Sequence, residues 1–426
     1  MIFILGIEEQ LMPDSGLSVK PPRKIFNLHP NIFFLGLTSL LNDFSSEMIF
    51  TLLPLFLTNV LGASTVIVGL IGGLSGSADS LFRVASGWYS DKIGNRKGLA
   101  VSGYAISAVV KPFMLIASSW GAVTGIRFID RMGKGIRNAP RDALVADSVD
   151  EKERGKAFGV QRTGDTAGAF LGLAVAALII YLVQGDAATL QKSTYHWMVL
   201  VGIIPGMIGT LVILFLVKEA CKAKREASKT SGSQVKGGFS TRFKIYLVIL
   251  GLFTLGNTSD FFVILRAQNL GDSIILIALI LVMFNLIYAV VSTPAGIISD
   301  KLGRRRLIII GWMVYALVYV GFALATQSWH VWLLFAGYGL YYGLVEGVSR
   351  AFVADLVPPE SRGTAYGWYN GVLSIALLPA SLIAGWLWTA VNPATPFYFG
   401  AGLAFVAAIG IWLLVKEQGQ KSEVKE

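Results

Sequence analysis

The sequence predicts an all-α integral membrane protein built from two six-helix bundles, and three observations carry that prediction. Of its 426 residues 54% are hydrophobic and only 15% charged, against roughly 25% charged in soluble proteins. Apolar stretches of about 18 or more residues, each long enough to cross a bilayer core, recur along the chain. The two halves of the chain also repeat one another.

In the first half the spans are expected near 32–60, 65–88, 98–118, 121–141, 156–183 and 195–217. In the second they fall near 243–265, 273–295, 307–325, 331–352, 365–390 and 396–415. The bundles therefore occupy 31–217 and 243–415, with 1–30 and 416–426 as tails. Residues 218–242, rich in Lys, Ser and Gly, read as the linker between them. The opening MIFILGI is too short for the apolar core of a signal peptide. The single cysteine, Cys221, excludes an internal disulfide framework.

Orientation follows from lysine and arginine. The first tail holds Lys20, Arg23 and Lys24. The loop after the second span holds Lys92, Arg96 and Lys97, and the loop after the eighth holds Lys301, Arg304, Arg305 and Arg306. The linker adds Lys218, Lys222, Lys224, Arg225, Lys229, Lys236 and Arg242. The alternate loops LGAST (61–65), SSWG (118–121), TQSWH (326–330) and NPATP (392–396) carry neither residue. Both termini and the linker are thus expected in the cytoplasm of a cell with an inner (cytoplasmic) membrane. The net charge of +10 is this asymmetry, with no nucleic-acid partner implied.

The repeat is specific. GWYSDKIGNRK (87–97) returns as GIISDKLGRRR (296–306), and ALVADSVDEKERGKAFG (143–159) as AFVADLVPPESRGTAYG (351–367). LGLTSLLN (35–42) more weakly resembles LGLFTLGN (250–257). Parallel repeats of this kind place a substrate site near the bilayer midplane, between the halves.

Both copies of G-x-x-x-D-x-x-G-[RN]-R-[KR] resemble the loop signature of the major facilitator superfamily, each after the second helix of its half. With the duplication, the resemblance covers almost the whole chain. It implies a secondary transporter, expected as a monomer, in which these loops act at the cytoplasmic side. Gly87 and Gly296 would allow close helix packing, and Asp91 and Asp300 would latch the halves in the outward-facing state. Gly94, Gly303, Arg96, Lys97 and Arg305 would support the latch. The plainer reading is a basic turn that only sets topology, but topology needs no acid.

One stretch breaks the apolar pattern: RFIDRMGKGIRNAPRD, 127–142. Its first nine residues resemble the family's fourth-helix signature R-x-x-Q-G-x-G-x-G. Arg127, Gly133 and Gly135 match, while Asp130 and Arg131 replace the glutamine and a glycine. The resemblance implies that Arg127 takes part in proton coupling. On a helix, Arg127, Arg131, Lys134, Asn138 and Arg141 fall within about 40° of one direction. Such a stripe cannot face lipid, because a charge at the bilayer centre costs several kcal/mol. Asp43 and Glu47, spaced i, i+4 in the first span, are the expected partners, Asp43 level with Arg131 and Glu47 level with Arg127. Asp79 with Arg83, and Arg162 with Asp165, read as structural pairs, and Lys111 adds a further buried base. A carboxylate released from its arginine and desolvated gains proton affinity, which is a route to proton coupling.

The second half offers Asp260, Arg266 and the i, i+4 pair Glu346 and Arg350. Trp312, Tyr315, Tyr319, Tyr338, Tyr341, Tyr342, Trp368 and Tyr369 are candidate walls for a cavity. GDTAGAFLG (164–172) partly resembles the antiporter signature G-x-x-x-G-P-x-x-G-G, with Ala169 in place of proline. Small residues at this spacing equally suit close helix packing.

Nothing in the sequence reads as an enzyme. There is no Walker loop, no nucleophile elbow and no His/Cys metal spacing, so neither cofactor nor metal is expected. The residues assigned to coupling and substrate are Asp43, Glu47, Arg127, Asp130, Arg131, Lys134 and Glu346. The leading expectation is export of a small organic solute by proton antiport. The alternatives are proton-coupled uptake of an anionic metabolite and a non-transporting sensor on the same fold.

Overall fold

A computed structural model of the chain describes residues 25–26, 28–149, 153–219, 239–358 and 361–415. Both tails beyond these limits, Cys221 and most of the linker lie outside the described residues. Among the described residues, twelve helical segments follow one another. The first set is α1 (Pro30–Val60), α2 (Thr65–Ile93), α3 (Arg96–Leu115), α4 (Trp120–Ser148), α5 (Arg154–Gln184) and α6 (Lys192–Leu216). The second set is α7 (Thr241–Asn269), α8 (Ile274–Leu302), α9 (Arg304–Leu324), α10 (Ser328–Leu356), α11 (Arg362–Ala390) and α12 (Thr395–Leu414).

Local chemistry sets the ends and breaks. Asn95 caps α3 by accepting from the Gly98 amide at 2.8 Å, and Ser119 caps α4 from Ala122 at 3.2 Å. Gly94 ends α2 at φ +79°, a left-handed conformation that a side chain would strain. Pro112 sits where α3 tightens into a final turn, Lys111–Leu115. The span expected at 243–265 is instead interrupted: α7 is helical over Thr241–Gly256 and again over Phe261–Asn269. Asn257, Thr258, Ser259 and Asp260 form the break, polar residues that favour local turns over helix.

Eleven of the twelve are long and apolar enough to cross a membrane by length and composition. The exception is α4, which is 29 residues long, well beyond the 121–141 expected, but carries the charged stretch. Large apolar side chains such as Leu182, Phe215, Leu317, Leu333 and Trp412 are more than half exposed around the outside. In a multi-pass membrane protein these face lipid.

Helix pairing repeats as the sequence does. α1 packs on α5 and α6, α2 on α4, and α3 on α4 and α6; in the second half α7 packs on α11 and α12, α8 on α10, and α9 on α10 and α12. Each pair of the second set is a pair of the first advanced by six helices. The halves meet along α2–α11 and α5–α8, which exchange under the same operation.

Glycines explain how closely α1 and α5 approach. A Cβ on Gly164 would stand 2.5 Å from the Gly36 carbonyl oxygen, and Cβ atoms on Gly168 and Gly172 would overlap the Leu40 and Phe44 carbonyls. The small-residue spacing of α5 is thereby used in packing. Gly168→Leu is expected to abolish the folded, monodisperse protein on size-exclusion chromatography, because a backbone carbonyl cannot move aside as a side-chain tip can. A Gly168→Leu protein that elutes and melts like the parent would contradict this packing.

The two ends of the inter-half seam differ. Away from the basic loops it is sealed: the Thr65 hydroxyl lies 2.7 Å from that of Thr389, and the Ile274 amide donates to the Ala187 carbonyl at 3.1 Å. Ser77 still donates to the Ser374 carbonyl at 2.6 Å. Towards the basic loops the seam parts. A Cβ placed on Gly367 or Gly371 of α11, or on Gly296 of α8, would meet nothing within 4 Å, and Trp88 and Trp368 are exposed.

Candidate functional site

Where the seam begins to part, a cavity of about 350 Å³ lies between the halves. This is at the lower end of the range for small-molecule pockets, about 300–1,000 Å³. Glu47, Phe50 and Thr51 of α1, Gly72 and Ser75 of α2, and Arg127 and Arg131 of α4 form the first-half wall. Ser259, Asp260 and Phe261 at the α7 break face them, with Phe284, Asn285 and Tyr288 of α8 and Tyr338, Tyr342 and Glu346 of α10.

The arginine wall is built within α4. Asp130, 2% exposed, holds Arg127 at 3.2 Å and lies 3.8 Å from Arg131. The Arg127 guanidinium also stacks over the Phe50 ring, 4.2 Å from its centroid. This corrects the expected pairing across α1 and α4. Glu47 accepts from Thr51 at 2.5 Å and Asp43 from Asn42 at 3.4 Å, and neither makes an ion pair among the described residues. The reason is proximity: a carboxylate at i+3 on α4 itself satisfies Arg127 before α1 can.

Behind the wall lies a further base, Lys111, and beyond it Lys134 and Arg141 carry the charges on towards the basic loops. Lys111, fully buried, donates to Ser45 at 2.8 Å and Ser46 at 3.0 Å. Lys134 lies outside the cavity lining and interacts electrostatically with Asp43 and Asp79. Arg141 approaches Asp165 at 3.6 Å, which replaces the expected Arg162–Asp165 pair, while Asp79 and Arg83 pair as expected at 3.0 Å.

Arg162 instead crosses to the other half. It donates to the Tyr288 hydroxyl and lies 3.6 Å from Glu346, which itself accepts from Tyr288 and from Arg350 at 3.4 Å. At about 1.5 Å per residue, Arg162 stands roughly 12 Å from the start of α5. This bridge therefore spans the halves on the basic-loop side of the cavity.

Asp260 accepts from Tyr338 at 2.7 Å and Tyr342 at 3.1 Å. It was visible in the sequence as an acid in an apolar span, but only the break in α7 brings it to the cavity. The turn-forming run NTSD at 257–260 was the signal for that break. Trp312, Tyr315 and Tyr319 belong to the buried core of the second half, not to the cavity: Phe253 stacks on Trp312 at 4.3 Å and Tyr315 donates to the Gly256 carbonyl at 3.0 Å.

The signature loops are anchored within their own halves. Arg96 donates to the Ala143 carbonyl at 3.0 Å and pairs with Asp147; Arg304 donates to the Ala351 carbonyl at 3.0 Å and pairs with Asp355 at 2.6 Å. The motif alignment set Arg305 opposite Arg96, whereas the repeat in space is carried by Arg304. α9 starts directly after Gly303, one residue earlier than its counterpart. Arg305 reaches the Ile411 carbonyl of α12 at 3.3 Å, Asp300 pairs with Arg304 at 3.2 Å, and the Lys97 amide donates to Glu219 at 2.7 Å. Gly87 faces only Ala139 of its own half and Gly296 faces open space. Asp91 lies on α2, and its side chain is outside the described part of the chain.

Among the described residues no group of three His, Cys, Asp or Glu side chains could hold a metal ion.

Comparison with known proteins agrees with this architecture. The family model of the Major Facilitator Superfamily matches residues 35–266 and 245–426. An uncharacterised MFS-type transporter of Methanocaldococcus jannaschii is 38% identical, over 90% of this chain and 94% of its own. The cis,cis-muconate transport protein of Acinetobacter baylyi is 22% identical, over 83% and 86%. The crystal structure of a D-xylose–proton symporter superposes with a TM-score of 0.74 at 15% identity, covering 91% of this chain and 97% of that one.

Proposed function

The chain belongs to the major facilitator superfamily of small-molecule membrane transporters, and from that membership we propose that it carries a small organic acid together with protons. The observation that supports this most is the pair Arg127 and Arg131 on one wall of the central cavity, with only one carboxylate, Asp130, between them. A substrate carboxylate completes that arrangement. The relative from Acinetobacter is a transport protein for muconate, an unsaturated dicarboxylate, and is in keeping with the carboxylate end of this reading.

An anion entering an inside-negative cell works against about 2.3 kcal/mol per charge per 100 mV. For an acid that enters as an anion, a proton carried with it removes that barrier; for one without net charge, the proton adds the gradient's own driving force. Either way symport suits uptake better than the antiport that the α5 signature suggested. The glycines of that signature are occupied in packing on α1. Glu47 and Glu346, both on the cavity, are the proposed proton carriers. With the basic loops in the cytoplasm, the present arrangement is inward-facing and occluded: the seam parts on that side, but the Arg162–Tyr288–Glu346 bridge stands as a gate closed beneath the substrate.

Proteoliposomes enclosing a pH-sensitive dye test this reading, with protein-free vesicles as baseline. Addition of 4-methylbenzoate is expected to acidify the lumen faster than the baseline. Glu346→Gln is expected to abolish this proton movement while still exchanging internal for external labelled acid. Proton movement without dependence on the acid, or unchanged in both Glu47→Gln and Glu346→Gln, would contradict the proposal.

The bridge gives a separate expectation. Arg162→Gln leaves Tyr288 and Glu346 in the second half without their first-half partner. Net transport is expected to fall by about fivefold, with affinity for the acid nearly unchanged, because Arg162 lies beside the cavity rather than on it. An affinity loss equal to the rate loss would make Arg162 a ligand instead.

A further inference from the structure

The two walls of the cavity carry opposite chemistry. The first half presents two guanidinium groups, Arg127 and Arg131, with the carboxylate of Glu47 beside Arg127. The second presents Asp260, and both hydroxyls that reach it, from Tyr338 and Tyr342, donate to the same oxygen, Oδ1. Oδ2 has no hydrogen-bond partner, and no Lys or Arg lies within ion-pair distance of Asp260, among the described residues. The charged group that acts on it is a second carboxylate, Glu47, from the other half. Asp260 is nonetheless exposed to the cavity, where its open oxygen is available to a ligand.

Two aromatic residues bond that carboxylate and two more pack against them. Tyr338 and Tyr342 lie edge to face at 5.1 Å, Phe284 stands 5.6 Å from Tyr338 and 5.5 Å from Tyr342, and Tyr288 lies 6.0 Å from Tyr342. All four line the cavity. Aromatic rings beside a carboxylate without a counter-ion favour a cation there, by cation–π interaction and by charge, although the Tyr288 ring already holds Arg162 at 5.5 Å. A substrate with a carboxylate at each end would instead bring its second charge against Asp260 and Glu47.

Resting on the organic-acid reading above, we infer that the substrate is bipolar, its carboxylate on Arg127 and Arg131 and a protonated amine on Asp260 beside the Phe284, Tyr338 and Tyr342 rings. The substrate class is thus an amino acid whose charges sit at opposite ends of a short apolar or unsaturated body. The Tyr338 and Tyr342 hydroxyls orient Asp260 so that Oδ2 meets the ammonium. The two halves each hold one end, so a full-length ligand ties them together as neither end alone can.

Four probes of one shape test this: 4-(aminomethyl)benzoate, 4-methylbenzoate, 4-methylbenzylamine and terephthalate, measured by calorimetry on the purified full-length protein. The zwitterion 4-(aminomethyl)benzoate is expected to bind about tenfold more tightly than 4-methylbenzoate, roughly 1.4 kcal/mol. That advantage is expected to vanish in Asp260→Asn, and to shrink in Tyr342→Phe, which keeps the carboxylate. Both variants are checked for an unchanged elution profile, and Tyr342→Phe carries the test should Asp260→Asn not fold.

Equal binding of zwitterion and monoanion by the parent, or tightest binding of terephthalate, would overturn the bipolar substrate and leave the organic-acid reading intact. Binding of 4-methylbenzylamine alone would overturn both. Stabilisation by sodium over choline that disappears in Asp260→Asn would assign the site to a metal cation and overturn the inference.

Discussion

Arg131→Gln is expected to reduce organic-acid transport in proteoliposomes by roughly thirty- to a thousandfold while the protein remains folded. Arg127 is already engaged, by Asp130 at 3.2 Å and by the ring of Phe50. Arg131 shares the same carboxylate at 3.8 Å, and so keeps more of its charge for a ligand. Removing one partner of a desolvated, hydrogen-bonded charge pair costs about 2–4 kcal/mol, which sets the size of the effect. Glutamine retains most of the stem and relieves crowding among Arg127, Arg131 and Lys134, so the melting temperature is expected to hold or rise. Half or more of parental transport in Arg131→Gln would remove Arg131 from the substrate site.

The largest effect on stability is expected at Asp130. Its carboxylate is buried among Arg127 and Arg131 and interacts electrostatically with Lys111 and Arg137. Arg137 is itself buried, over the Tyr104 ring at 4.5 Å and bonded to Ser107 at 3.0 Å, so it cannot turn aside to water. Asp130→Ala leaves these cations together without their central anion. Breaking a buried pair from one side destabilises by about 3–5 kcal/mol. The expected result is loss of most folded protein from the membrane fraction, with a lower melting temperature in what remains. Asp130→Ala with Arg127→Met should recover part of the loss, since one unpaired charge is then gone. An Asp130→Ala protein as abundant and as stable as the parent would mean that the cluster is hydrated, contrary to its burial.

Much of this architecture was legible in the sequence because a bilayer forces it. Long apolar runs, basic loops and two copies of a signature specified twelve helices in two repeats. The charged stretch of α4 was legible as inward-facing by exclusion from lipid, and Arg127 and Arg131 do line the cavity. Partner choice was not legible. Helical counting placed Glu47 level with Arg127, but a level position on a neighbouring helix does not compete with Asp130 three residues along the same one. Arg162 could not be assigned to Glu346, because their meeting depends on how one half tilts on the other. The place of Asp260 on the cavity was hidden by the assumption of an unbroken α7. Arg304 was hidden by an alignment one residue out of step with the start of α9.

Transport through the central cavity requires reciprocal motion of the two halves about it. With Cys221 replaced by serine, spin labels at Trp88→Cys and Trp368→Cys report the separation at the basic-loop face. Labels at Thr65→Cys and Thr389→Cys report the sealed face. Distances are measured by pulsed electron resonance with and without 4-(aminomethyl)benzoate at mildly acidic pH. The ligand is expected to shorten the first distance and lengthen the second, and Arg131→Gln is expected to prevent both changes. Two distances that stay fixed, or that change in the same direction, would contradict alternating access through this site.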